Sequence, residues 1–169
     1  EWVNEKSKTL PTSSKGRDRL NIEKSWLDLA NKKKLPLQIF RLSGIYSNQR
    51  NVLVRLKSSK ANIIYKKNHF FSRIHVEDIG NILVESLKKF KAKEIYNISD
   101  DRPASSKEVT LYGSKLLGLK PPPTIDAFTI EDEVLKNFYK DSKKVSNKKM
   151  KEFFNYKLKY PTYIEGLDY

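Results

Sequence analysis

The 169-residue sequence contains no cysteine, which removes disulfides, thiolate metal ligands and cysteine nucleophiles and leaves a reducing compartment permitted. No apolar run comes near the roughly 20 residues that cross a bilayer. The first residues, EWVNEKSK, carry no hydrophobic targeting segment. A soluble, cytoplasmic protein with no membrane partner is therefore the expectation. Glycine is scarce, six in all, and never arranged as G-x-G-x-x-G or G-x-x-G-x-x-G, so the phosphate-cradling turn of nucleotide-binding folds is missing from these residues. No His/Asp/Glu set has metal-ligand spacing, and no metal is expected. Arginine is also thin. It stands only at positions 17, 19, 41, 50, 55, 73 and 102, so the formal charge of +14 is mostly scattered lysine. That make-up favours a solvated surface over a specific nucleic-acid interface, with a basic nucleic-acid-binding module as an alternative.

What is present reads as one compact unit, large enough to bury roughly 70% of its unfolded surface. Residues 37–42, LQIFRL, form a short apolar, β-rich run entered by Pro36 and closed by Gly44. Ligands in open α/β sheets sit beyond the carboxyl ends of strands, so the residues after Leu42 are the first place to look for a site. Upstream, residues 18–31 carry Leu20, Trp26, Leu27 and Leu29 at helical spacing, which predicts one buried face. Downstream, 51–58 reads as a helical turn. Residues 61–65 and 70–76 read as two strands about a KKN turn, a hairpin-like pause. From Val76 the period becomes 3.6, with Ile79, Ile82, Leu83 and Leu87 on one stripe, Glu77 and Asp78 in the first turn and lysines in the last. Asp78 there reads as a cap. Residues 94–98 read as a buried strand, Ser105 or Ser106 as the cap of a helix through Leu117, prolines 121–123 as extended chain, and 143–154 as helical. The alternation indicates an α/β fold.

The blocks IFRLSGIYSNQRN, FFSRIHVEDIG, IYNISDDRPASSKEV and YKDSKKVSNKKM followed by YPTYIEGL resemble, in order and spacing, the NAD-dependent epimerase/dehydratase family, the extended short-chain dehydrogenase/reductases. The likeness is greatest to an atypical subgroup. The resemblance implies the carboxyl-terminal part of a Rossmann-type parallel sheet plus a small substrate-side lobe. It puts the last part of the Rossmann-like domain at 1–60 and the lobe, with returning Rossmann elements, at 61–169. It further implies that the glycine-rich βα turn belongs to a preceding half, so NAD or NADP is expected in the intact parent and no cofactor in this chain alone.

The family's Tyr/Lys dyad, four residues apart on one helical face, falls at Lys15 and Arg19. Arginine does not give up its proton in proteins and lysine does so only well above neutrality, so neither replaces the tyrosine. The resemblance gives Gly44, Ile45, Tyr46 and Ser47 the place of a turn lining the nicotinamide end of the cofactor. Arg50, Arg73 and His75 become candidates for substrate binding, with Arg73 and His75 on one strand face. The phosphate-binding arginine of sugar-nucleotide members is Phe71 here. The implied function is that of an epimerase/dehydratase-like protein acting on a small, sugar-like substrate with its dyad replaced. The alternative is a non-catalytic ligand-binding or regulatory protein of the same fold. Homo-oligomerisation is expected, because the open edge of strand 37–42 and the apolar side of helix 18–31 lack neighbours.

Overall fold

A computed structural model describes residues 1–168. The chain runs through β1 (Trp2–Val3), α1 (Ser14–Lys33), β2 (Gln38–Leu42), β3 (Gly44–Tyr46), α2 (Val52–Lys57), β4 (Ile63–Tyr65), β5 (Arg73–His75), α3 (Val76–Lys88), β6 (Glu94–Ile98) and α4 (Ser106–Leu116). It continues through β7 (Thr124–Asp126), a short 3-10 turn (Ala127–Thr129), α5 (Glu133–Lys140), β8 (Lys144–Val145), α6 (Lys148–Phe154) and α7 (Tyr163–Leu167). The strands form parallel pairs, β1 with β8, β2 with β6, β3 with β5 and β4 with β7. The α/β expectation is met.

Local chemistry explains most boundaries. Ser13 caps α1 by accepting from Gly16 N, Asn51 caps α2, and Ser105 caps α4. Gly118, at φ +63°, ends α4 where a side chain would be strained. Thr162 and Glu165 form a full capping box on α7.

Three expectations need correction. The two segments about the KKN turn do not form a hairpin: β4 pairs with β7 and β5 with β3. Burial separates them, because Ile64 packs with Ala127, Ile130 and Tyr139 while Ile74 joins Ile82, Tyr96 and Ile98. Asp78 does not cap α3. His75 does so through Nδ1, and the fully buried Asp78 carboxylate accepts from Tyr156 Oη and from the backbone N–H groups of Lys159 and Tyr160. Helix α1 fully buries Ala30 alone, leaving Ile22 58%, Trp26 51% and Leu29 41% exposed.

The main core gathers Ile74, Ile82, Tyr96 and Ile98 with Met150, Phe154 and Leu158, so α6 and the segment after it close over β5, α3 and β6. On its side away from β2, β6 is covered by side chains. Glu5 Oε1 accepts from Asn97 N at 2.8 Å, and Lys149 Nζ donates to Ile95 O at 2.7 Å. Such charged plugs stop an edge from recruiting another strand.

Candidate functional site

The site is built where β2 ends. Arg41 on β2 grips Glu23 of α1 bidentately, Nε to Oε2 at 2.9 Å and Nη2 to Oε1 at 2.6 Å, which fixes the helix carrying the dyad positions against the strand. After Leu42 the chain bends. Ser43 N donates to Ile98 O and Gly44 N to Ser72 O, which starts a new parallel pair. Residues 44–46 are therefore strand β3 and not a loop, in register Gly44 opposite Arg73, Ile45 opposite Ile74 and Tyr46 opposite His75. The fold thus brings Gly44, Ile45, Tyr46, Arg73 and His75 together from segments about thirty residues apart.

Their orientations differ from the expectation. Tyr46 is buried at 7% exposure, edge-on to the His75 ring at 5.1 Å, with its hydroxyl donating to Thr162 O at 3.4 Å. Burial pushes that phenol well above its ordinary pKa. Arg73, 9% exposed, lays its guanidinium 3.7 Å over the Phe71 ring, and Nη1 donates to Phe71 O at 3.2 Å and Ala104 O at 3.1 Å. Burial lowers its pKa to about 10 despite the opposing charge of Asp100. His75 is 1% exposed, its ring centroid 4.0 Å from that of Tyr160. Its Nδ1 accepts from Glu77 N, so the neutral ring carries its proton on Nε2, and burial holds its pKa below the usual imidazole value. Tyr46, Arg73 and His75 are thus interior groups tying β3, β5 and α3 together. Carbonyl groups satisfy Arg73 Nη1 there, whereas His75 Nε2 is buried with no hydrogen-bond partner among the described residues.

Gly44 and Ile45 stay exposed on β3, and Ser47 is half-buried. Residues 47–51 make a self-contained turn in which Ser47 and Arg50 bridge and Asn51 Nδ2 donates to Ser47 O. Arg50 is exposed, as are Lys15 and Arg19 on α1, and none of the three meets the β3/β5 cluster.

A cavity of about 150 Å³ lies in the lobe beside this cluster, lined by Ile64, Tyr65, Lys66, His69, Ser106 and Lys107 among others. Arg73 and His75 are not among its lining residues. His69 is buried, with Nε2 at 2.8 Å from Asp141 O, and Lys66 Nζ donates to Tyr139 O. The sequence reading missed these residues because Lys66 sits in a plain KKN turn. Only the pairing of β4 with β7 and the approach of α4 place Lys107 opposite it.

Parallel strand pairs flanked by helices, with a lobe beyond the strand ends, define a Rossmann-like α/β protein. No protein-family model and no curated protein matches the chain. Solved structures do. A functionally unknown conserved protein from Silicibacter pomeroyi is 36% identical, with a TM-score of 0.90 over 99% of this chain and 58% of its own. The dTDP-glucose 4,6-dehydratase of Bacillus anthracis, in complex with NAD, is 20% identical with a TM-score of 0.81 over 99% of this chain and 53% of its own. A human epimerase family protein with NADPH is 15% identical with a TM-score of 0.76, over 99% and 58%. The chain has the fold of the NAD-dependent epimerase/dehydratase family, and spans little more than half the length of the structures it matches.

The residues present do not fit a dinucleotide pyrophosphate. A phosphate cradle needs glycines whose backbone a ligand can approach at a strand-to-helix turn. Here Gly113 is covered by Val52, Leu53 and Leu56, Gly166 by Tyr46 and Gly16 by Pro11. At the direct strand-to-helix junction, β5 to α3, the accessible first-turn side chain is the acidic Glu77, whose charge opposes a phosphate.

Proposed function

We propose that this chain is the substrate-side part of a longer NAD(P)-binding, epimerase/dehydratase-like protein that acts on a small, sugar-like substrate with the Tyr/Lys dyad replaced by Lys15 and Arg19. The observation that carries the reading is the match over 99% of the chain to structures bound to NAD or NADPH, of which it covers 53–58%. Gly44 and Ile45 are the residues left exposed to line the nicotinamide end. The compact lobe cavity, with Lys66 and Lys107 at its wall, suits a small hydroxylated or anionic ligand. Phe71 offers no cation to a diphosphate, and Arg73 is committed to carbonyl groups. Cytoplasmic location is part of the same proposal.

The exposed Lys15 and Arg19 favour a second reading, a ligand-binding protein of this fold without redox chemistry. Calorimetric titration with NAD and NADP separates the cases. The chain alone should bind neither more tightly than about 10 μM, roughly 7 kcal/mol, and the proposed longer protein should bind one of them in the micromolar range. A tighter constant for the chain alone would show a cofactor site of its own and defeat the proposal, as would failure of the longer protein to bind. Turnover of the bound cofactor by the longer protein decides between enzyme and binding protein.

A further inference from the structure

Two segments of the lobe are stitched side by side, residues 66–70 between β4 and β5 and residues 139–143 at the end of α5 and before β8. Lys66 Nζ donates to Tyr139 O, Phe70 N to Ser142 Oγ at 2.9 Å, Ser142 Oγ to Asn68 O at 3.2 Å and Lys143 N to Phe70 O at 3.3 Å. The two links through Ser142 Oγ lie at exposed positions, where water competes and each bond adds little. His69 supplies the interior link. The residue is 3% exposed, its ring centroid lies 4.8 Å from that of Tyr139 and 6.0 Å from that of Phe71, and Nε2 stands 2.8 Å from Asp141 O. A carbonyl oxygen has no proton to give, so Nε2 carries the ring proton and Nδ1 is a bare lone pair. That Nδ1 is buried and has no hydrogen-bond partner among the described residues.

This arrangement treats the two protonation states of the ring differently. A neutral ring leaves one acceptor unpaired, a modest cost. A protonated ring places an N–H and a full charge where neither water nor an acceptor meets them, and a buried charge without a partner is far more costly. Parting the two segments gives Nδ1 to water and removes that cost. We propose that His69 is an acid-released rivet: neutral, it joins residues 66–70 to residues 139–143, and protonation at Nδ1 drives the two segments apart. The proton comes from solvent and returns to it. Lys66, Asn68, His69 and Phe70 all line the lobe cavity, so the rivet also sets how firmly that wall is held.

The groups around the ring act in the same direction. Lys66 on its own segment and Arg73 on β5 are cations and disfavour a further positive charge. From the facing segment, Tyr139 is a phenol kept neutral by burial, and the Asp141 carboxylate meets Thr12 Oγ1 at 3.0 Å and Lys143 Nζ at 3.8 Å. Burial, aided by the two cations, holds His69 below the ordinary imidazole value against the opposing pull of the Asp141 carbonyl. A lowered folded-state pKa means that the parted segments bind the proton more readily than the joined ones. The stabilisation is complete above the ordinary value of about 6.5 and is lost progressively as pH falls below it.

NMR of the two histidine rings, assigned separately, and amide exchange at Phe70, Lys143 and Tyr96 test the rivet in the unmodified chain and in His69→Gln, whose amide nitrogen takes the place of Nε2 without titrating. His69 should show the Nε2–H tautomer at about pH 7 and a titration midpoint below about 6.5. Protection at Phe70 and Lys143 should fall about tenfold between about pH 7 and about pH 5, beyond the change in intrinsic exchange. Both amides should exchange faster than that of Tyr96 in the main core, because the segments part without unfolding the core. His69→Gln should abolish the acid-linked loss. A midpoint at or above about 6.5, the Nδ1–H tautomer, unchanged protection, exchange as slow as that of Tyr96, or the same loss in His69→Gln each overturns the rivet. If His69→Gln does not fold, the ring titration and the three amides in the unmodified chain decide alone.

Discussion

Tyr46 shows how much a single side chain can be asked to do on a three-residue strand. Its ring lies against His75 on one side and against α7 on the other, where Gly166 leaves room for it. A Cβ at position 166 would stand 2.0 Å from the Tyr46 hydroxyl oxygen and 2.7 Å from two ring carbons. Alanine is the better helix former by about 1 kcal/mol, but a contact that short between interior groups forces displacement costing about 3 kcal/mol. Gly166→Ala should therefore lower the urea midpoint. Tyr46→Leu in the same background should recover part of the loss, a coupling read from the double-mutant cycle. Unchanged stability in Gly166→Ala would mean that α7 shifts freely, contrary to its capping box and buried Tyr163 and Leu167. At this scale the sequence recognised Tyr46, Arg73, His75 and Asp78 as worth attention but did not show what they touch, and it misread Asp78 as a cap. Asp78 stands in the first turn of a helix like many caps, and nothing local reveals that its acceptors serve backbone groups some eighty residues away.

Among the elements, α1 departs most from the reading of its own sequence. Its apolar residues have helical spacing, yet Ile22, Trp26 and Leu29 are exposed, while the Glu23–Arg41 pair and the buried Ala30 tie the helix to the rest. Exposed apolar stripes of this kind are normally covered by another chain. We propose self-association through this face. Light scattering should show a dimer or larger species at tens of micromolar, and Trp26→Ala should shift it toward monomer. A monomer at that concentration, indifferent to Trp26→Ala, would show that the helix tolerates solvent. Helix α3 is the opposite case. Of its expected stripe, Ile82 is buried and Ile79 packs against the same core, but Leu83 and Leu87 stay exposed at 45% and 83%. Helix α5 was legible yet went unread: Val134, Leu135, Phe138 and Tyr139 recur at helical spacing behind the Asp132 cap. Strand β3 looked like a loop because three residues after a bend carry no period of their own.

The whole molecule carries +14, and the structure disperses that charge. Glu23, Glu77, Glu94, Asp101 and Glu108 each hold a basic partner, and Lys149 is bound back to the β6 edge. Binding to duplex DNA should accordingly be weak, independent of sequence and lost by about 0.2 M salt, as measured by fluorescence anisotropy across a salt series. A sequence-specific complex that survives that salt would contradict the functional reading. The same charge slows self-association without preventing it, since it is screened beyond about 8 Å at physiological salt.

By itself the sequence determined the α/β class, the strands at 38–42 and 94–98, the helices from Val76 and from Ser106, and the blocks that resemble the epimerase/dehydratase family. These rest on period, capping residues and ordered spacing, all of which are local or linear. Only the tertiary structure decided which strands pair, that β4 and β5 part company, that Arg73 and His75 face inward, and that Asp100 is buried with Oδ2 lacking a hydrogen-bond partner among the described residues. Those outcomes depend on contacts between segments far apart in the chain, where burial and the nearest available acceptor, not residue type, choose the partner.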